Sequence, residues 1–100
     1  MVDSSYQEMI FAMNIDRLTI LNVMLETARE YADQSNHAVA VGLFERVLRD
    51  LEQMYGPSSM RLTPVLAELR ESYDQLGCDL KAQECSSRLS SVLQLICKSA

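Results

Sequence analysis

Apolar residues recurring at helical spacing predict an all-α fold of antiparallel helix hairpins, about five helices in a single domain spanning residues 1–100. Two further observations support it. Only two prolines and three glycines occur, so long stretches run without a helix breaker. Residues also recur at an offset of 42: Tyr31 with Tyr73, Ala40 with Ala82, Val23 with Val65, Glu26 with Glu68, Arg46 with Arg88 and Leu51 with Leu93. A period of this size reads as a duplicated helix–turn–helix unit, and such units build surfaces for other proteins more often than they carry chemistry.

Ser5 and Glu8 have capping-box spacing, which predicts a leading helix over 5–13 with Tyr6, Met9, Ile10 and Met13 on one face and Asn14 as its C-cap. Asp16 is placed to cap a second helix over 17–33. Its apolar residues form two rows, Leu18, Leu21, Leu25, Ala28 and Ala32 in one and Ile20, Met24 and Tyr31 in the other, which predicts several neighbours. Gln34-Ser35-Asn36 reads as a tight turn. A third helix over 37–55 carries Ala40, Phe44, Val47, Leu51 and Met54 inward, with Glu45, Arg49, Asp50 and Glu52 on its outer face. Gly56-Pro57-Ser58-Ser59 stops it.

The fourth helix, over 59–76, holds Leu62, Val65, Leu66, Leu69 and Tyr73. Pro64 is tolerable there only if the helix starts late or the proline sits in its first turn. Gly77 closes that helix, and Asp79 caps a fifth over 79–97 with Ala82, Cys85, Leu89, Val92, Leu93 and Ile96 inward. Links as brief as 34–36 and 77–78 force sequential helices into hairpins. Residues 17–56 and 57–97 are thus two repeat units behind a leading helix.

The net charge of −5 and the scattered basic residues argue against nucleic acid as a partner, because phosphate binding needs a basic patch. The acidity belongs to the front of the chain: Asp3, Glu8 and Asp16 precede any base, whereas residues 57–100 balance five against five. The start, Met1 to Ser5, lacks the basic region of a secretory signal, and no apolar run has membrane-spanning length. Three cysteines, an odd number, fit a reducing cytoplasmic setting better than a disulfide framework.

The pattern of Ala28, Tyr31, Ala40, Phe44 and Val47 resembles the tetratricopeptide repeat: a small residue, an aromatic three later, a turn, then alanine, aromatic and apolar positions. Leu66, Leu69, Tyr73, Gly77, Ala82 and Leu89 match in the second unit. The 42-residue period, with Tyr55-Gly56-Pro57 between units, is similar to the longer repeats of kinesin light chain, whereas the common repeat has 34 residues. The resemblance covers residues 21–97. Arg70, Ser86 and Ser35 depart from it, standing where the other unit has Ala28, Phe44 and Gly77. It implies a right-handed stack of hairpins and a non-enzymatic adaptor that binds a partner protein or peptide.

The resemblance also implies a groove lined by the first helix of each unit. The matching positions are Asn22, Leu25, Glu26, Arg29 and Asp33, followed by Ala67, Glu68, Glu71, Asp74 and Gln75. Glu26, Glu68 and Glu71 would make it negative and suited to a basic or mixed peptide. The plainer reading is a solvated face of carboxylates. Two units leave apolar end faces, so the leading helix is expected to cap the front and the chain to pair as a homodimer.

Other chemistry is weakly represented. His37, the single histidine, opens a helix and reads as a cap or surface residue. The rival, a histidine phosphotransfer bundle, lacks the nearby lysine that would steady phosphate. The spacing of Cys78, Cys85 and Cys97 does not suit zinc. Cys85 and Cys97 are expected to pack as small apolar groups, with Cys78 exposed in its turn. No glycine-rich phosphate loop occurs and no cofactor is implied. A structural subunit of a larger assembly is the third reading.

Overall fold

The computed structural model describes the backbone of residues 2–99 and the side chains of residues 17–95. Four helices account for nearly all of it: α1 Val2–Asp33, α2 His37–Tyr55, α3 Thr63–Gln75 and α4 Asp79–Ser99, with one turn of 3-10 helix at Met60–Leu62 ahead of α3. No strand occurs among the described residues, and none of these helices is long and apolar enough to cross a membrane. α1 packs on α2, α2 on α3, and α3 on α4.

The described residues form four α-helices, not five. The expected leading helix over 5–13 and the helix over 17–33 are one element, because the backbone stays helical through Asn14 and Asp16. Asn and Asp have only modest helix penalties, and no glycine or proline lies between the two apolar runs, so nothing compels a break there. The faces expected of Tyr6, Met9, Ile10 and Met13 lie outside the described side chains. Continuity has a structural consequence. Arg17 donates to Gln53 at 3.3 Å and lies 4.0 Å from Asp50, which sets residue 17 level with the last turns of α2. The residues of α1 before it continue along the axis for about 22 Å. A collinear segment cannot fold back over the front of α1, so the expected cap is not formed by the helix backbone.

The two hairpin turns are built alike. Asn36 N–H donates to the Tyr31 carbonyl at 2.8 Å and Ser35 N–H to that of Ala32 at 3.0 Å. Forty-two residues later, Cys78 N–H donates to Tyr73 at 2.9 Å and Gly77 N–H to Asp74 at 3.0 Å. Both are Schellman closures, which require a left-handed residue just past the helix. Ser35 (φ 64°) and Gly77 (φ 76°) supply it. Glycine does so without steric cost and serine does not.

The link between the units differs from the expected helix over 59–76. Gly56, at φ 93°, closes α2 by donating to the Glu52 carbonyl at 2.8 Å. Ser59 Oγ then accepts from Arg61 N–H at 3.2 Å, and the 3-10 turn it caps delays α3 until Thr63. Pro64 thereby falls in the first turn of α3, where its missing N–H would have no partner anyway. Arg61 stacks on the Tyr55 ring, 4.3 Å from its centre.

The core centres on α2, α3 and the turn between them. Phe44, Val47, Leu62, Val65 and Leu66 are completely buried, together with Ser72. Ala28 and Ala40 are also fully buried and let α1 and α2 approach closely. Each large apolar side chain removed from water contributes roughly 1.5–3 kcal/mol. The outer helices depart from expectation. The second apolar row of α1 is covered only in part, since Met24 and Tyr31 pack against the core but Ile20 is 57% exposed, and Leu93 on α4 is 49% exposed instead of inward. Ile96 lies outside the described side chains. The expected outer face of α2 is partly engaged: Glu45 accepts from Tyr73, Glu52 pairs with Arg88 at 2.5 Å, and Asp50 faces Arg17.

Candidate functional site

α1 and α3 both pack on α2, run in the same direction and face each other across a furrow. Leu21 and Leu25 share a cavity with Pro64 and Val65; further along, Arg29 touches Glu68; further still, Asp33 shares a second cavity with Glu71 and Ser72. The two cavities lie along one furrow. Advancing in step along both helices requires parallel axes, and two successive hairpins impose that direction.

The first cavity, about 360 Å³, is mainly apolar, with Leu18, Leu21 and Leu25 on one wall, Pro64 and Val65 on the other and Arg61 at its edge. Arg61 is held over the Tyr55 ring, which fixes its guanidinium at that edge. The second, about 150 Å³, is acidic. Asp33, Glu68 and Glu71 surround it, Phe44 forms its floor, and Arg29, Ala32, His37 and Ser72 complete it.

Within the acidic cavity one cation meets three carboxylates. Arg29 Nε donates to Glu68 Oε1 at 2.6 Å, which offsets one of the three negative charges. Glu68 Oε2 is buried without a hydrogen-bond partner among the described residues, and so is His37 Nδ1. No described cation pairs with Asp33 or Glu71. An unpaired buried acceptor costs free energy until a donor reaches it. The cavity therefore favours a cationic, multiply donating group such as an ammonium or guanidinium.

Four of the ten residues expected in the groove, Arg29, Asp33, Glu68 and Glu71, meet at the acidic cavity. Asn22 and Leu25 line the apolar one. Glu26, Ala67 and Gln75 are exposed and line neither. Asp74 lines a separate cleft with Arg70, Asp79 and Ala82, between α3 and α4, and lies 3.9 Å from Arg70. Residues three and four apart share a helix face, and Asp74, six after Glu68, is turned away from the Glu68 face toward α4. His37 and Ser72 were missed. His37 begins α2 directly after the turn that reverses the chain at Asp33, and that spacing could have indicated it.

On the opposite side, α2, α3 and α4 enclose a space of about 340 Å³ lined by Glu45, Tyr73, Lys81, Cys85 and Arg88 among others. Tyr73 donates to Glu45, and Arg88 holds Glu52. Cys85 is buried and free; burial pushes its thiol above the usual range, partly countered by the Arg88 guanidinium, so it stays a poor nucleophile. Cys78 is exposed and free. The Cys97 side chain lies outside the described residues. Among the described residues no three of His, Cys, Asp and Glu converge in a way that could hold a metal ion.

No family model matches the chain, and no curated protein and no solved structure matches it.

Proposed function

We propose that this chain is a small, non-enzymatic adaptor of tetratricopeptide-repeat type, with units at 17–56 and 57–97, working in the cytoplasm. It holds a basic segment of a partner protein in the furrow between α1 and α3, and it associates with copies of itself. The observation that carries the binding reading is the acidic cavity, where Asp33, Glu68 and Glu71 line one pocket beside an apolar trough. A lysine or arginine enters the acidic cavity while a neighbouring apolar side chain rests against Leu21, Leu25 and Pro64. Complementary charge of this kind sets partner choice and encounter rate.

The test uses a set of short peptides that are basic, neutral or acidic but otherwise matched, with binding followed by fluorescence anisotropy. Basic peptides bind the wild type most tightly, and the Asp33→Asn/Glu71→Gln variant loses roughly tenfold or more of that affinity. Equal affinity for acidic peptides, or no loss in the variant, would overturn the reading. The phosphotransfer alternative fares worse: His37 stands among three carboxylates, which repel an incoming phosphoryl group. The remaining alternative, a structural subunit, predicts no peptide binding at all.

A further inference from the structure

The 42-residue register relates one bare face to another. α3 and the 3-10 turn before it meet α2 through Leu62, Val65, Leu69 and Tyr73, all of them buried. Their equivalents 42 residues earlier, on α1, are Ile20, Val23, Thr27 and Tyr31. Ile20 and Val23 are each 57% exposed, and Thr27 and Tyr31 are partly exposed. The Thr27 hydroxyl is turned back onto its own helix, donating to the Val23 carbonyl at 2.8 Å, which leaves its methyl free to meet a neighbour. The front of α1 therefore has the form of a surface that an α2-like helix covers, and in this chain α2 is already used.

The helix that stands to α3 as α2 stands to α1 is α4. α2 offers α3 the side chains of Phe44, Val47, Leu48 and Leu51, and the equivalents on α4 are Ser86, Leu89, Ser90 and Leu93. Leu93 is half exposed and Ser90 is exposed. The matching Schellman turns give both hairpins the same local geometry, so the step from the first hairpin to the second can be taken again from the second hairpin to the first hairpin of another molecule.

We infer that copies of this chain associate front to back, the face of α1 carrying Ile20 and Val23 on one molecule docking on the face of α4 carrying Leu89 and Leu93 on the next, as α3 docks on α2 within the chain. The joint deepens the self-association of the proposed function and, apart from Glu71 at its margin, uses residues outside the acidic cavity. Its polar contacts follow from the same register. Tyr73 donates to Glu45 inside the chain, so Tyr31 donates to Ser87 of the neighbour. The joint is weaker than its internal counterpart. Serines replace Phe44 and Leu48, and Glu71 meets Glu26 of the neighbour where Arg29 meets Glu68 inside the chain. Because the two docking faces differ, each molecule keeps one free, and assembly proceeds past the dimer.

The experiment is sedimentation of the full chain from about 10 µM to about 1 mM, with circular dichroism confirming native helicity in each variant. Wild-type mass rises with concentration beyond that of a dimer. Ile20→Asp/Val23→Asp, which blocks the front, and Leu93→Asp, which blocks the back, are each monomeric alone. Mixed in equal amounts they form a 1:1 dimer that grows no further, since one retains a back and the other a front. Ser86→Phe/Ser90→Leu restores the side chains of α2 and lowers the association concentration roughly tenfold or more, a gain that Ile20→Asp/Val23→Asp abolishes. A wild type monomeric throughout would overturn both this joint and the self-association in the proposed function. A dimer that survives Leu93→Asp, or a mixture that stays monomeric while the wild type assembles, would overturn the front-to-back joint alone.

Discussion

The two hairpins share a spacing and a turn but bury their equivalent residues very differently. Val65 is 1% exposed and its counterpart Val23 is 57% exposed. Tyr73 is buried and bonded to Glu45, whereas Tyr31 stays partly exposed at the edge of the core. Phe44 lies at the centre of the core, and the position equivalent to it in the second unit is a serine. The local rules are the same in each case. What differs is the number of neighbours: α2 and α3 are covered on two sides, α1 and α4 on one. A residue of one type at one register position thus contributes fully to stability in an inner helix and little in an outer one.

This contrast can be broken by substitution at equivalent positions. The largest effect is expected at Phe44→Ala, which empties the middle of the core and costs about 3–5 kcal/mol in urea unfolding; Ser86→Ala, its counterpart, shifts stability by less than about 0.5 kcal/mol. If both cost the same, the core is not centred on α2 and α3. Next comes Val65→Ala, at about 2 kcal/mol, against Val23→Ala, whose effect stays within about 0.5 kcal/mol. A large loss at Val23, measured at a concentration where the chain is monomeric, would mean that α1 is covered on its front by its own chain.

The smallest effects concern the turns. Both need a left-handed residue, so Gly77→Ala destabilises by about 1 kcal/mol through backbone strain alone, the space around Gly77 being open. Ser35→Gly relieves the same strain and stabilises by up to about 1 kcal/mol, less the entropy that glycine adds to the unfolded chain. Thermal melts of the two variants should therefore move in opposite directions. Movement in the same direction would mean that the turns are not equivalent.

Much of the hairpin architecture was legible in residues of strong local meaning. His37–Tyr55 follows from its amphipathic spacing and the glycine after it, and the turn at Gly77 from that glycine alone. The break expected at Asn14 was not legible, because capping residues mark an end only when the chain leaves the helix. The site was legible in part. Arg29, Asp33, Glu68 and Glu71 share a face by helical phase, and the register brings the two helices together. His37 and the buried Ser72 joined them only through the fold.

The sequence by itself determined the helices, the two turns and their 42-residue register, since these depend on side-chain spacing, propensity and the few residues that tolerate left-handed backbone. Only the tertiary structure decided which copy of each repeated residue is buried, which carboxylates share a cavity, and that the front of α1 stays bare. Those outcomes depend on how many helices lie alongside a given face, and no local pattern encodes that number.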